Sequence, residues 1–257
     1  MTAVLDPATR RAELTTRLRQ VEERIDAACR AAGRAREDVH LIVVTKYFPS
    51  SDIEVLSELG VTDIGESRDQ EASAKIESLP PGVRQRLQVH FIGQLQSNKA
   101  GSVAAYVDTV HSIDRDKLVI ALDRAATAAG RDIGVLAQVS LDVGASGSAG
   151  ATSGAAAAAT AAARGGIPPD GLGVLANSVA AAQHLRLLGL MAVAPQGVDP
   201  AAAFAKLSSL SRDIRADHPG ATWISAGMSA DLESAIANGA THLRVGSAIL
   251  GSRPLLG

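Results

Sequence analysis

The first residue that could do chemistry is a lysine that directly follows an apolar, β-branched run. The run LIVVT (41–45) is typical of a strand buried in a parallel sheet, and Lys46 comes next. An amine held at such a strand end, partly removed from water, would lose its charge more easily and act as a nucleophile toward a carbonyl group. A lysine whose ammonium group reaches solvent explains the same pattern, so this feature alone leaves both interpretations open.

Glycines and hydroxyl side chains follow two later apolar runs. The segments are SAGMS (225–229), with Ser225, Gly227 and Met228, and a second one with Gly246 and Ser247. Glycine lets the backbone approach a ligand closely, hydroxyls donate hydrogen bonds, and the start of a helix offers free N–H groups to an anion. The two segments therefore predict a phosphate-binding cup, although tight turns with a capping serine would have the same composition.

A nucleophilic lysine and a phosphate cup together predict a phosphorylated carbonyl ligand. Pyridoxal 5′-phosphate and a sugar phosphate that forms a Schiff base both fit. Arg244 favours pyridoxal phosphate, because it lies two residues before Gly246 and shares its side-chain parity on the strand. A guanidinium group only donates hydrogen bonds, so a pyridine nitrogen facing it would stay unprotonated. Such a site suits plain binding or limited carbanion chemistry.

The composition excludes several classes of protein. The 257 residues include 25 Lys+Arg and 27 Asp+Glu, for a net charge of −2, with 3 Phe, 2 Tyr and 1 Trp. Nucleic-acid binding, which needs a basic face and aromatic stacking surfaces, is not expected. No apolar stretch approaches the roughly 20 residues of a membrane span, so we expect a cytoplasmic protein with no membrane partner. One cysteine, Cys29, excludes an internal disulfide.

The histidines and two acidic residues at strand ends do not indicate a further site. No metal is expected, because the spacing of metal ligands is absent from His90, His184, His218 and His242. Glu66 and Asp114 could act as a carboxylate pair, but the sequence does not determine their relative position. Since surface acids are common, we interpret both as structural.

Eight apolar runs alternate with helix-compatible segments along the chain. The predicted strands span 41–45, 61–64, 89–92, 109–113, 135–141, 187–193, 222–225 and 243–246. The predicted helices span 7–32, 52–59, 69–79, 98–106, 114–129, 200–217 and 230–238. This alternation predicts one α/β domain over residues 1–257, a closed (β/α)8 TIM barrel with an extra N-terminal helix. An open doubly wound sheet is the alternative, but the turn TKYFPSS after the first strand lacks its glycine-rich signature.

The segment 142–173 does not follow this alternation of strands and helices. It is rich in Gly, Ser and Ala, and we predict an inserted loop after the fifth strand, with a short helix in its alanine run. A mobile loop and a lid over a site are both compatible with its length.

Five segments closely resemble the pyridoxal phosphate homeostasis proteins, the YggS/PROSC family. They are VVTK, IGESRDQE, HFIGQLQSNK, LRLLGLMAVAP and ISAGMSADLESAIANGATHLRVGSAILGSR. The resemblance implies a fold-type III barrel similar to the N-terminal domain of alanine racemase, with pyridoxal phosphate bound on Lys46. It also implies that Arg244 faces the ring nitrogen and that the phosphate ligands are Ser225, Gly227, Met228, Gly246 and Ser247.

Three features depart from the family pattern. Ser67 stands where the family has asparagine, so a contact from that amide is not carried over. Ala226 replaces a leucine or methionine, and the insertion replaces a short loop that contains a lysine. We expect the change at position 226 to alter only packing.

The resemblance implies a role in vitamin B6 homeostasis. We expect a monomer that holds the cofactor as a Schiff base on Lys46, without turnover of its own, and hands it to apo-enzymes. A racemase-like enzyme is the alternative, and it needs a second base on the opposite face of the cofactor. Tyr47 adjoins the lysine, Tyr106 falls late in a helix, and His111 is interpreted as structural, so the carrier is favoured. A pure interaction module would need neither the lysine nor the cup.

Overall fold

The computed structural model describes residues 6–141, 165–195, 197 and 199–252. Eight parallel strands pair in chain order and close into a barrel, which confirms the predicted (β/α)8 fold. The strands are β1 His40–Val44, β2 Asp63–Glu66, β3 Gln88–Phe91, β4 Thr109–Ile113, β5 Ile133–Gln138, β6 Leu185–Met191, β7 Trp223–Ser225 and β8 His242–Val245. All eight predicted strands are present, with bounds shifted by at most three residues.

The strands are apolar because both of their faces are covered. β4 and β5 are buried along their whole length, since alternate side chains fill the barrel interior and the others pack against the helices. A few buried strand residues are polar, and they are the ones that need explanation. Among them are His90, His111, Ser225, His242 and Arg244.

Ten α-helices surround the barrel in the described part of the chain. They are α1 Pro7–Ala31, α2 Ser50–Glu58, α3 Asp69–Glu77, α4 Pro81–Arg84, α5 Ala100–Tyr106, α6 Asp116–Ala129, α7 Leu172–Ala180, α8 Pro200–Asp217, α9 Leu232–Ala237 and α10 Ser247–Leu250. Most follow the predicted segments, but the predicted helix 98–106 begins with a 3₁₀ turn, Ser97–Lys99.

The N-terminal helix α1 begins where the sequence predicts. The Asp6 side chain accepts a hydrogen bond from the Thr9 N–H, and Pro7 occupies the first turn, where no backbone donor is needed. Its apolar stripe, which includes Leu14 and Ile25, is buried against α9 and α10. The helix α1 therefore packs on the two helices that precede and follow β8.

Three helices lie outside the predicted ranges, namely α4, α7 and α10, and only the start of α10 after Gly246 was expected. α7 begins at Leu172, so the predicted loop 142–173 extends too far at its C-terminal end. Its buried face (Leu172, Leu175, Ala176, Val179) has helical spacing, which the glycine-rich composition around it conceals. The four-residue helix α4 is too short to produce a periodic pattern. Residues 142–164, with the predicted alanine helix and the possible lid, lie outside the described residues.

Candidate functional site

The barrel closes between β1 and β8, and this closure brings the lysine segment beside the second glycine segment. Val43 pairs with Val245, so Lys46 and Gly246 leave neighbouring strands at the same rim. The backbone at Gly246 lies so close to β1 that a Cβ atom there would be 3.1 Å from the carbonyl oxygen of Val44. The carboxyl ends of β1 and β8 therefore form one continuous surface.

The loops after β7 and β8 join at this rim in a structure that we call the glycine cup. It consists of Gly227, Met228, Ser229, Gly246 and Ser247. The hydroxyls of Ser247 and Ser229 are 3.3 Å apart. Gly227 has φ +90°, and a Cβ atom there would lie 2.6 Å from the Cβ of Ala235, so only glycine fits. The cup presents hydroxyls and backbone without side-chain bulk.

Met228 is held within its loop by an acidic side chain. Its N–H donates to the carboxylate of Asp231 at 2.6 Å, and its carbonyl accepts from the Asp231 N–H at 3.2 Å. The Met228 side chain is exposed. For the Met228 N–H to bind a phosphate, it would have to exchange Asp231 for the ligand.

Lys46 lies in a tight turn that directly follows β1. The side chain is half-buried, and its Nζ lies 5.8 Å from the centroid of the Tyr47 ring. Tyr47 has φ +72°, a left-handed conformation that is uncommon outside glycine. Its backbone N–H donates to the carboxylate of Glu71, which stabilises the turn in this conformation.

A largely buried group of three charged side chains and one threonine, which we call the ion cluster, contacts the backbone of this turn. It consists of Thr45, Glu66, Glu71 and Lys75. Lys75 Nζ donates to the Thr45 carbonyl at 3.0 Å, to Glu66 at 2.8 Å and to Glu71 at 3.0 Å. The Thr45 hydroxyl also donates to Glu66, at 2.7 Å. These contacts connect α3 to the last residues before Lys46.

The two acids that the sequence left as structural have different environments. Glu66 is not a surface acid, because it is fully buried, and burial raises its pKa while Lys75 opposes the shift. Asp114 bonds its neighbour Arg115 at 2.5 Å and accepts the Gly166 N–H at 3.3 Å. Each carboxylate therefore has its own partners.

A line of polar side chains crosses the barrel interior, and we call it the interior chain. It consists of Arg244, Ser225, His111, His90 and Asp63. The successive distances are 2.6 Å from Arg244 Nη1 to Ser225 Oγ, 2.9 Å from Ser225 Oγ to His111 Nδ1, 3.0 Å from His111 Nε2 to His90 Nδ1, and 2.9 Å from His90 Nε2 to Asp63 Oδ1. The chain begins at the rim and ends at the first residue of β2.

Arg244 connects this interior chain to the glycine cup. Its backbone N–H donates to the Gly227 carbonyl at 2.9 Å, and its Nη2 donates to the Ala192 carbonyl at 2.9 Å. Burial lowers the pKa of Arg244 to about 10, so the guanidinium stays charged at neutral pH. The sequence grouped Ser225 with the phosphate ligands, but its hydroxyl lies inside the barrel and contacts Arg244 rather than the cup's serines.

The three residues considered as a second base, His111, Tyr106 and Tyr47, are held by different contacts. Both ring nitrogens of His111 are engaged within the interior chain, and burial holds its pKa well below the usual value. The Tyr106 hydroxyl lies 3.5 Å from Asp69 on α3, and burial raises its pKa. Tyr47 is fixed by its backbone beside Lys46.

No helix among the described residues is long and apolar enough to cross a membrane. Those residues also contain no group of three or more His, Cys, Asp or Glu side chains that could hold a metal ion.

Comparison with known proteins gives consistent matches over nearly the whole chain. The family model described as alanine racemase, N-terminal domain, matches residues 17–254. A pyridoxal phosphate homeostasis protein of Mycobacterium tuberculosis is 39% identical over 262 residues, which cover 96% of this chain and 95% of the relative. The chain belongs to the pyridoxal phosphate homeostasis protein family.

Solved structures agree with this family assignment. A crystal structure of an unknown protein from Bifidobacterium adolescentis matches with a TM-score of 0.81 and 32% identity, covering 96% of this chain and 97% of that one. PipY of Synechococcus elongatus with PLP bound matches with a TM-score of 0.73 and 29% identity, covering 93% and 100%. Alanine racemase of Clostridium difficile, at 12% identity, shares the fold over 57% of its length with a TM-score of 0.65.

Ser67, where the resemblance predicts a departure from the family pattern, lines a cavity of about 730 Å³ together with Arg68 and Glu71, which both contact Tyr47. The backbone of Ser67 packs so closely on Gly93 that a Cβ atom at Gly93 would lie 2.2 Å from the Ser67 carbonyl oxygen. The backbone contact with Gly93 therefore fixes the position of residue 67.

The sequence did not predict the ion cluster or the interior chain. One signal for the ion cluster is present in the sequence, because Lys75 falls on the apolar stripe of α3 between Ala72 and Ile76. A lysine in that position needs a buried partner. The interior chain has no comparable local signal, since its members lie on five different strands.

Proposed function

We propose that this family member, as one barrel domain, binds pyridoxal 5′-phosphate with Lys46 as the covalent attachment point and the glycine cup as the phosphate site. The observation that carries the proposal is the junction of the Lys46 turn, the cup and a charged Arg244 at one rim. When bound, the cofactor supplies an aldehyde for the amine and a conjugated ring for Arg244 to face.

The residues of the rim fit this cofactor in their chemistry. A primary amine suits the aldehyde, and hydroxyls with closely approaching glycine backbone suit a phosphate dianion. Arg244 suits a ring nitrogen that accepts a hydrogen bond, because the guanidinium retains donors beyond the two used by Ser225 and Ala192. We assign cofactor binding to Lys46, Ser225, Gly227, Met228, Arg244, Gly246 and Ser247, with Ser225 acting through Arg244.

Holding and handing on the cofactor is favoured over turnover. The relatives named pyridoxal phosphate homeostasis protein and the PLP-bound structure of PipY support a binding role. Racemisation would need a second base, and the buried His111 has both nitrogens occupied. We extend the proposal to a monomer that acts in the cytoplasm and delivers the cofactor to apo-enzymes.

The test is the visible absorption of purified protein mixed with pyridoxal phosphate, followed by borohydride reduction and mass spectrometry of peptides. We expect a Schiff-base band in the wild type, a reduced adduct on the peptide with Lys46, and neither in Lys46→Ala. The matched control is Lys99→Ala, which removes a partly exposed lysine lining the neighbouring cavity. Phosphate-anchored binding without a covalent bond is expected to persist weakly in Lys46→Ala.

Two outcomes would contradict the proposal. A reduced adduct that survives in Lys46→Ala would mean that the attachment point lies elsewhere. Loss of optical activity of L-alanine in the presence of the wild type and pyridoxal phosphate would mean that the protein is an enzyme and that a second base exists.

A further inference from the structure

The interior chain has one consistent direction. Asp63 is the end that sets it, because an ionised carboxylate can only accept hydrogen bonds. Burial opposes this charge, but hydrogen bonds from His90 and Thr62 keep the pKa of Asp63 below its usual value. His90 must therefore donate from Nε2, and in a neutral imidazole this leaves Nδ1 as an acceptor.

The next two links follow from the first. His90 Nδ1 accepts from His111 Nε2, so the neutral His111 ring has its acceptor at Nδ1. That acceptor faces Ser225, whose hydroxyl donates its only proton there and accepts from Arg244. Each ring carries one proton, and Ser225, His111 and His90 each donate once and accept once within the chain, between Arg244, which only donates, and Asp63, which only accepts.

We propose that the interior chain positions Arg244 for the ring nitrogen of the bound cofactor, with Asp63 fixing the direction of all its hydrogen bonds. This inference rests on the proposed function, because it assigns a task to Arg244. Ser225, His111 and His90 are then positioning residues that act through the guanidinium.

Because the interior chain is buried, the direction of its hydrogen bonds affects every member of the chain. His111 and Ser225 are fully buried and Arg244 nearly so, so a hydrogen bond that is lost inside the barrel is not replaced by bulk water. If Asp63 became a donor, the tautomers of both histidines would reverse. Ser225 would then accept from both sides, and its own proton would have no acceptor in the chain.

The first experiment reads the tautomers without any cofactor. ¹⁵N NMR of histidine-labelled full-length protein at neutral pH is expected to show His90 and His111 as neutral rings protonated at Nε2. Asp63→Asn is expected to change both signals, and Asp132→Asn is not. Asp132 is the matched control because it contacts the ring of His184 at the same 2.9 Å but on the surface. A charged ring or an Nδ1–H tautomer in the wild type would overturn the direction.

The second experiment adds pyridoxal phosphate and measures its absorption maximum and its rate of release. Ser225→Ala and Asp63→Asn are expected to shift the maximum and to speed release by about fivefold, the equivalent of one hydrogen bond of about 1 kcal/mol. Asp132→Asn is expected to match the wild type. Unchanged maxima and release rates in both folded variants would overturn the positioning role.

The two experiments separate this inference from the proposed function. Absence of a Lys46-dependent band in the wild type contradicts the proposed function and, with it, the task assigned to Arg244, whatever tautomers NMR finds. A normal band with unperturbed variants contradicts only the positioning role. Where Asp63→Asn fails to fold, His90→Gln interrupts the same chain and is read in the same way.

Discussion

The two sides of the barrel mouth are formed by different types of residue. On the β1–β2 side, the turn that carries Lys46 rests on the ion cluster, whose members come from two strand ends and from α3. On the β7–β8 side, the glycine cup uses backbone, hydroxyls and glycines that exclude bulk. The side chain proposed to attach the cofactor is supported by buried charges, whereas the surface proposed to receive its phosphate is kept free of side-chain bulk.

The difference predicts opposite responses to mutation. Removing a charge on the β1–β2 side leaves other charges buried without a partner, so stability falls first. Removing a hydroxyl on the β7–β8 side leaves a surface that water can enter, so ligand retention falls first. For the glycines of the cup we expect an intermediate loss of stability, because an added side chain would collide with neighbouring atoms.

The largest effect is expected from Lys75→Met, which keeps the aliphatic stem but removes the charge that pairs with buried Glu66. Breaking a buried ion pair on one side costs about 3 to 5 kcal/mol of unfolding free energy. Urea denaturation measures this loss. The control is Lys99→Met, which breaks a more exposed pair with Asp69 and is expected to cost less than about 1 kcal/mol.

A double variant tests whether the unpaired charge of Glu66 causes this loss of stability. Adding Glu66→Gln to Lys75→Met removes the uncompensated charge, so part of the lost stability is expected to return. Equal losses in Lys75→Met and Lys99→Met would contradict the role of the ion cluster.

The next effect is expected at Gly227, where alanine is constrained by both conformation and space. A positive φ costs about 1 kcal/mol or more for alanine, and the contact with the Cβ of Ala235 adds about 1 to 3 kcal/mol of overpacking. Thermal denaturation of Gly227→Ala measures the sum. Gly33→Ala is the matched control, since Gly33 has φ +62° but no atom within 4 Å of the added Cβ. If the two variants lose equal stability, the packing at Gly227 does not limit the cup.

The smallest effect on stability is expected from Ser247→Ala. Its hydroxyl is exposed and contacts only Ser229 in the described structure, so unfolding should change by less than about 0.5 kcal/mol. Retention of pyridoxal phosphate is expected to weaken by about tenfold or more, because a hydrogen bond to a charged group contributes about 1.5 to 3 kcal/mol. Equilibrium dialysis against Ser102→Ala, a serine on α5 that bonds Asp69, checks this. Equal retention in both variants would remove Ser247 from the site.

Much of the architecture could be predicted because the barrel repeats one local pattern. Each strand is a short apolar run and each long helix has an apolar stripe, so all eight strands and most helices were expected in the right order. The errors lie where composition conceals periodicity, as at α7, or where an element is too short to show any, as at α4. Strand ends shifted by a few residues because a run of apolar residues does not show where hydrogen-bonded pairing stops.

Parts of the site were also predictable from local chemistry. A lysine after a buried strand and glycines after two others are visible one residue at a time, and the barrel topology brings β1, β7 and β8 together. The environment of Glu66 was not, because its partner Lys75 belongs to the following helix, and the apolar stripe of that helix indicates that Lys75 is buried but not which residue it meets. The hydroxyl of Ser225 was likewise assigned to the cup, although its contacts lie inside the barrel.

The sequence by itself determined the barrel, the family and the residues at the ends of the strands, because each depends on local patterns. Only the tertiary structure decided which side chains meet across the interior. Ser225 and His111 are 114 positions apart, and their contact exists because the closed barrel sets β4 opposite β7. Alternation along a strand tells which residues face inward, but the distance between two inward residues depends on the curvature and stagger of the whole barrel.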